Sequence, residues 1–308
     1  YPDEIMFCSD DKHPDELIEG HINRLVLKSM AKGYDLITAL KPCTINPKKH
    51  YNLDNGLLQE DDPADFIIVD TPEKFNVLHT FINGKQVAEN KNSLIESQST
   101  ELPNRFAVSP VKKEDIETEA KEGKLRVIDV DDGQLVTQSI FVDPKIENGK
   151  VVSDTERDIL KIVVLNRYKV SKPAVGFIHN IGLKEGAMVS TVAHDSHNIM
   201  VVGVTDEDIL KAIEEISDSK GGIGYINKEE SHILPLPIAG IISDQDGKTV
   251  ASKYKKIDNL AKQNGSRLSA PYMTLSFMGL LVIPSLKLSD QGLFDGDQFK
   301  FIDLFKIS

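Results

Sequence analysis

Ser190-Thr191-Val192-Ala193-His194-Asp195-Ser196-His197-Asn198-Ile199-Met200-Val201-Val202-Gly203 sets a dense polar group directly ahead of a continuous apolar run. The small residues before His194 and the run after Asn198 place this group against buried strands. It must therefore be hydrogen-bonded, bound to a ligand or exposed at a strand end. His194 and His197 have three readings at this point: metal ligation, recognition of a polar substrate, or fastening of a turn. No suitably placed third protein ligand accompanies them, which weakens the metal reading. Ser196 lies near both histidines, but the Gly-x-Ser-x-Gly elbow of a serine hydrolase is missing around it.

Outward on the carboxy-terminal side, Thr205 is placed to cap a helix over Glu207–Ile216, whose apolar face is Ile209, Leu210, Ile213 and Ile216. Gly221-Gly222-Ile223-Gly224 follows that helix. It reads as a turn, since a dinucleotide-binding glycine pattern runs from strand to helix. Leu234-Pro235-Leu236-Pro237-Ile238-Ala239-Gly240 reads as a stiff apolar crossing or a pocket wall. A further helix is predicted over Lys248–Gln263, ending at Gly265. Outward on the amino-terminal side, β-branched content predicts strands over Leu125–Val130, Gln138–Val142 and Ile159–Leu165. Gly149-Lys150-Val151 lacks the residues of a phosphate loop.

The polar stretch Glu89–Glu101 is the best linker candidate. Ahead of it, strands are predicted over Ala64–Asp70 and Asn76–Ile82, with Asn83-Gly84 turning the chain into Lys85–Ala88. The pattern from Asp15 to Gly33 is helical, and a second short helix covers Leu36–Leu40, restricted by Pro42 and Pro47. Ile5-Met6-Phe7 reads as a buried core strand running into Cys8-Ser9-Asp10-Asp11, as if the chain entered a larger fold part-way. A carboxylate at such a strand end suits metal binding or proton transfer, and equally a capped turn. His13 and His21 are eight residues apart, not a zinc pattern, and His50 and His79 add no ligand set.

The 308 residues suit two folded units at about 100–200 residues each. A formal net charge of −12 argues against a phosphate-following surface and so against nucleic acid. Two cysteines, Cys8 and Cys43, are too few to staple the chain, and the first residues do not read as a signal peptide. Apolar stretches such as Gly279–Pro284 are too short to span a bilayer. The expectation is a soluble, cytoplasmic protein with no membrane partner.

CSDDKHPDELIEGHI at Cys8–Ile22, PADFIIVD at Pro63–Asp70, STVAHDSHNIMVVG at Ser190–Gly203 and LPLPIAGIISD at Leu234–Asp244 together resemble the bacterial adenine deaminase family of the amidohydrolase superfamily. The resemblance covers nearly the whole chain. It implies α/β plus α+β architecture: the end of an incomplete (β/α)8 barrel at residues 1–54, a small composite β unit at 55–92 and the carboxy-terminal α+β domain at 93–308. It implies hydrolysis of adenine to hypoxanthine and ammonia in a complete enzyme. By motif Asp10 becomes the catalytic, metal-contacting carboxylate, with Asp11 a neighbour. His194 and His197 become catalytic candidates, and Asp195, Ser196 and Asn198 substrate-binding candidates. The implied cofactor is a divalent metal, iron or manganese favoured and zinc possible.

The family's early His-x-His strand, its bridging acidic or modified residue and two further histidines have no counterparts here. The expected partners are therefore adenine, an amino-terminal catalytic half or complementary subunit, and further copies in a homo-oligomer. A non-enzymatic nucleobase-binding or oligomerisation domain, or another cyclic-amidine deaminase or amidohydrolase, remains as an alternative.

Overall fold

The computed structural model describes residues 1–98 and 101–307 and divides the chain into two compact units, Tyr1–Thr100 and Glu101–Ser308. The predicted linker reaches Ser99 and Thr100, which lie outside the described residues, while its first part is ordered as strand.

In the first unit an extended segment leads into α1 (Pro14–Glu19), α2 (Ile22–Ala31), α3 (Leu36–Leu40), a single 3-10 turn at Lys41–Cys43 and α4 (Ile45–Tyr51). The helix predicted from Asp15 to Gly33 is thus two helices. Gly20, a poor helix former, ends the first, and Arg24 Nη2 donates to Glu19 O across the break at 2.8 Å. The fourth helix was not predicted. Pro47 is its third residue, in the first turn where no intrahelical N–H bond is required.

Ile5–Phe7 is not a strand, because a strand needs a partner and among the described residues none pairs with it. The segment is held differently. Phe7 N–H donates to Pro42 O at 3.0 Å, and the buried Asn46 Nδ2 donates to Pro2 O and Ile5 O at 2.7 Å each. Phe7 packs on the small cluster of Val26, Ala39 and Phe75.

An antiparallel meander follows: β1 (Phe66–Val69), β2 (Val77–Ile82), β3 (Lys85–Glu89) and β4 (Asn92–Ser93). The predicted turn forms, with Asn83 and Gly84 both at positive φ between Ile82 and Lys85. Phe66 and Phe81 face each other across β1 and β2, stacked at 4.6 Å.

The second unit begins with α5 (Lys113–Ile116) and β5 (Thr118–Glu119), followed by β6 (Lys124–Asp129) and β7 (Gln138–Val142). The strands β8 (Ile146–Glu147) and β9 (Lys150–Val151) form a small sheet with β5. Next come β10 (Ile159–Leu165), β11 (Ala174–His179), β12 (Ala187–Ser190), β13 (Ile199–Gly203), α6 (Asp206–Asp218), β14 (Gly222–Ile226) and β15 (Ser231–Pro235). The chain closes with α7 (Gly247–Gln263), α8 (Pro271–Phe277), β16 (Leu286–Ser289), β17 (Gly292–Asp295), β18 (Lys300–Phe301) and β19 (Phe305–Lys306).

The main sheet has the order β15-β14-β12-β13-β10-β11-β6, with β7 and β19 also bonded to β6. Its pairs are antiparallel except β11 with β6. Alternation on β10 explains how a strand buried at every position serves two cores. Leu160, Ile162 and Val164 face one side with Met188, Met200 and Val202, covered by Tyr254 and Ile257 of α7 and Leu275 of α8. Val163 and Leu165 face the other with Val189 and Val201, covered by Ile209, Ala212, Ile213 and Ile216 of α6.

Of the predicted turn at Gly221–Gly224, Gly221 is a bend at positive φ, whereas Gly222–Gly224 are the start of β14, and Leu234 and Pro235 end the edge strand beside it. A Cβ on Gly222 would stand 2.4 Å from Leu234 O, so glycine here serves close strand approach rather than a turn. The mixed architecture expected from the sequence is present: helices and a small antiparallel sheet first, a helix-covered mixed sheet second.

Candidate functional site

The polar loop 191–198 joins two buried neighbouring strands, β12 and β13, so its ends are fixed by the sheet while its tip is free of the ladder. Thr191 is buried at the base. Its N–H donates to Gly222 O at 2.9 Å, and its hydroxyl accepts from Gly222 N–H at 2.8 Å while donating to Gly240 O. Asn198 is buried at the other base, its Oδ1 accepting from Arg167 N–H at 3.4 Å.

Between these anchors, Asp195 and Ser196 are exposed, and His194 and His197 are half-buried. His194 N–H donates to Ser276 O at 3.0 Å, and its ring stacks on Phe277 at 4.7 Å with 27° between the planes. The His197 ring lies 5.9 Å from that of His194. His197 N–H donates to Ala193 O at 2.6 Å, and the residue adopts a left-handed φ of 51°, a region histidine visits more readily than most residues.

Burial pushes the His197 imidazole below its ordinary pKa; the neighbouring His194 and Arg167 act in the same direction, and Asp195 opposes them. The ring is consequently neutral near pH 7, with one nitrogen able to donate and the other to accept. Its Nδ1 is buried and makes no hydrogen bond within the described residues.

Asp10 belongs to the first unit, where it is exposed at a left-handed φ of 56°. Its Oδ1 accepts from Asp11 N–H at 2.9 Å, and Ser9 Oγ stands 2.6 Å from His21 Nε2. The other histidines are dispersed. His13 precedes α1, His50 meets Tyr51 edge to face, and His79 Nδ1 lies 3.0 Å from Gln86 Nε2. Among the described residues no group of three or more His, Cys, Asp or Glu is placed to hold a metal ion. The structure brings His194 and His197 together with Asn198 at the loop base; Asp10 is in the other unit.

Comparison with known proteins gives the context of both regions. Residues 134–300 match the adenine deaminase C-terminal domain model and residues 3–87 the amidohydrolase family model. The chain belongs to the adenine deaminase family. It is 47% identical to the adenine deaminase of Methanosarcina mazei over 99% of this chain and 57% of that protein. It is 48% identical to that of Sulfurovum sp. and 44% to that of Borreliella burgdorferi, in each case over 98% of this chain and 56% of the relative. The chain thus spans a little over half the length of these adenine deaminases. No helix among the described residues is long and apolar enough to cross a membrane.

Within this member of the adenine deaminase family, the sequence reading missed Arg167 and Phe277. Arg167 is 3% exposed, and its Nε donates to His197 O. A signal was present: Asn166-Arg167-Tyr168 is a polar cluster directly at the end of the apolar run Ile159–Leu165. Phe277 carried none, since an aromatic on a short helix looks like any core residue.

Proposed function

We propose that this chain serves the hydrolytic deamination of adenine to hypoxanthine and ammonia, in a protein that also carries the remainder of the length of its relatives. The observation that carries the proposal is 47% identity over 99% of the chain to a protein named adenine deaminase. The geometry of the 194–198 loop supports it. An aromatic pair, His194 on Phe277, beside a neutral imidazole combines a planar apolar face with directional hydrogen bonding, which suits a planar nitrogen heterocycle.

The described residues do not by themselves fit a metal, because Asp10 is a single exposed carboxylate with one oxygen already accepting from Asp11 N–H. In the proposed reading Asp10 is this chain's one ligand to a divalent ion, iron, manganese or zinc, held mainly by residues outside it.

The role assigned to Asp10 itself is proton transfer. Its Oδ2 takes a proton as water oxygen bonds to adenine C6 and the C6=N1 π pair moves onto N1. Asp10 then gives that proton to the exocyclic nitrogen; the pair on N1 re-forms C6=N1 as the bond from C6 to that nitrogen breaks and ammonia leaves, and the 6-hydroxy product moves its O–H proton to N1 to become hypoxanthine. His194 and His197, with Asp195, Ser196 and Asn198 around them, hold the ring and keep bulk water from it.

The test uses the protein at the full length of its relatives, with hypoxanthine formation as the readout. Asp10→Asn is expected to lower kcat by about 100-fold or more, the usual contribution of a positioned acid–base group, while Asp11→Asn stays near the parent rate. Equal, near-parent rates for both would remove Asp10 from the chemistry. His194→Ala and His197→Ala should lower kcat/KM while thermal melting stays close to the parent's; unchanged turnover in both would remove the loop from the site.

A further inference from the structure

Arg167 stands just beyond the end of β10, and its side chain uses all five guanidinium donors on the loops around it. Nε donates to His197 O, Nη1 to Asn104 Oδ1 and Arg105 O at 3.2 Å each, and Nη2 to Tyr168 Oη at 2.9 Å and to Ala239 O. Tyr168 Oη passes the contact on, donating to Ser196 O at 2.8 Å. The guanidinium lies against Gly240, where a Cβ would stand 3.0 Å from Cζ.

Every acceptor in this set is a carbonyl, amide or hydroxyl oxygen; among the described residues no carboxylate bonds to the guanidinium. A buried guanidinium is costly unless each donor is satisfied, and a single missing acceptor would be felt. The arrangement therefore favours one geometry of the three segments that supply the acceptors. Two of these are the sequence motifs singled out above, His194–Asn198 and Leu234–Gly240. The third is tied in as well: Asn104 Nδ2 donates to Lys220 O and Pro237 O at 2.7 and 3.0 Å, and Ala239 N–H donates to Pro103 O at 2.7 Å. The apolar Leu234–Gly240 segment thereby acquires a purpose beyond crossing the unit, since it presents the Ala239 carbonyl to the clamp.

We propose that Arg167 is a positioning residue for the His194–His197 loop, locking the His197 and Ala239 carbonyls to one guanidinium so that the His197 imidazole meets the nucleobase in a fixed arrangement. This rests on the reading that the loop contacts adenine. Lysine retains the charge but cannot span five acceptors in a plane, so Arg167→Lys separates geometry from charge.

In the full-length protein, Arg167→Lys is expected to lower kcat/KM for adenine by about 10- to 100-fold, the cost of a small misplacement of binding groups. The same substitution placed in a His197→Ala background should cost almost nothing further, because the residue it positions is gone. An equal loss in both backgrounds would overturn the proposal: a merely structural residue lowers the melting temperature without its kinetic cost depending on His197.

Amide hydrogen exchange reads the clamp without substrate. Arg167→Lys should speed exchange at residues 194–198 and 238–240 while leaving β10 and β13 protected, and unchanged exchange would refute the clamp. Tyr168→Phe, which removes only the link to Ser196, gives the milder version should Arg167 variants fail to fold, with faster exchange confined to residues 195–197; no change there would count equally against it. Failure of the adenine reading has a different signature. His194→Ala and His197→Ala would turn over adenine at the parent rate while the Arg167→Lys amides still exchanged faster, and that result would withdraw the positioning of the nucleobase by Arg167 while leaving the clamp.

Discussion

Three buried cations in the second unit show how differently single residues are accommodated. Lys161, on the α6 face of β10, pairs with Asp206 at the start of that helix. Arg167 donates, among the described residues, to neutral oxygens. Lys287 on β16 is fully buried, its Nζ donating to Leu135 O at 2.7 Å, and burial pulls its pKa from 10.5 down to about 8. The folded protein therefore binds this proton less tightly than the unfolded chain does. Its full penalty is present below pH 8 and is relieved as pH rises from about 8 toward 10.5, so stability from this group increases across that window. Lys287→Met, which keeps the stem's shape, is expected to stabilise the protein at pH 7 by up to about 3 kcal/mol and to flatten the rise in stability above pH 8. Urea unfolding at pH 7 and pH 10 checks this; a variant no more stable at pH 7, or one that keeps the rise, contradicts it. The alternation Leu286-Lys287-Leu288 looks in sequence like a half-exposed strand, and what covers its polar side comes from distant segments.

At the scale of elements, local chemistry was readable wherever the decisive partner is near in sequence. Thr205 does cap α6: its Oγ1 accepts from Asp208 N–H at 3.1 Å and donates to Asp208 Oδ2 at 2.6 Å. Thr205→Ala should cost about 1 kcal/mol, seen as a lower urea midpoint with unchanged slope. A cost near zero would show that packing of Ile209, Ile213 and Ile216 alone fixes the helix. The strands Gln138–Val142 and Ile159–Leu165 and the Asn83-Gly84 turn were equally legible. Ile5–Phe7 was not, because apolarity suggests burial but only a neighbouring strand makes a strand. Gly222-Ile223-Gly224 failed in the opposite sense: glycines that suggest a turn admit a close strand neighbour.

For the whole molecule, the contrast lies in how much core each unit owns. The second has a sheet buried on both faces, whereas the buried apolar side chains of the first are Val26, Ala39, Pro42 and Phe75 among the described residues, with Ile5, Leu17, Ile18, Ile37, Ile67 and Ile68 exposed. Residues 101–308 expressed alone should unfold in one cooperative thermal transition, and residues 1–98 alone should show none and bind a hydrophobic dye. A sharp transition in the smaller piece would mean that its compact cluster suffices. The amino-acid sequence by itself determined the family, the element types set by short-range periodicity and capping, and the concentration of polar chemistry at His194–Asn198. The tertiary structure alone decided that Phe277 backs His194 and that Arg167 binds the two motifs together. Those contacts join residues 30 to 83 positions apart, and which distant backbone oxygens converge on one guanidinium is set by strand order and packing, which no local pattern encodes.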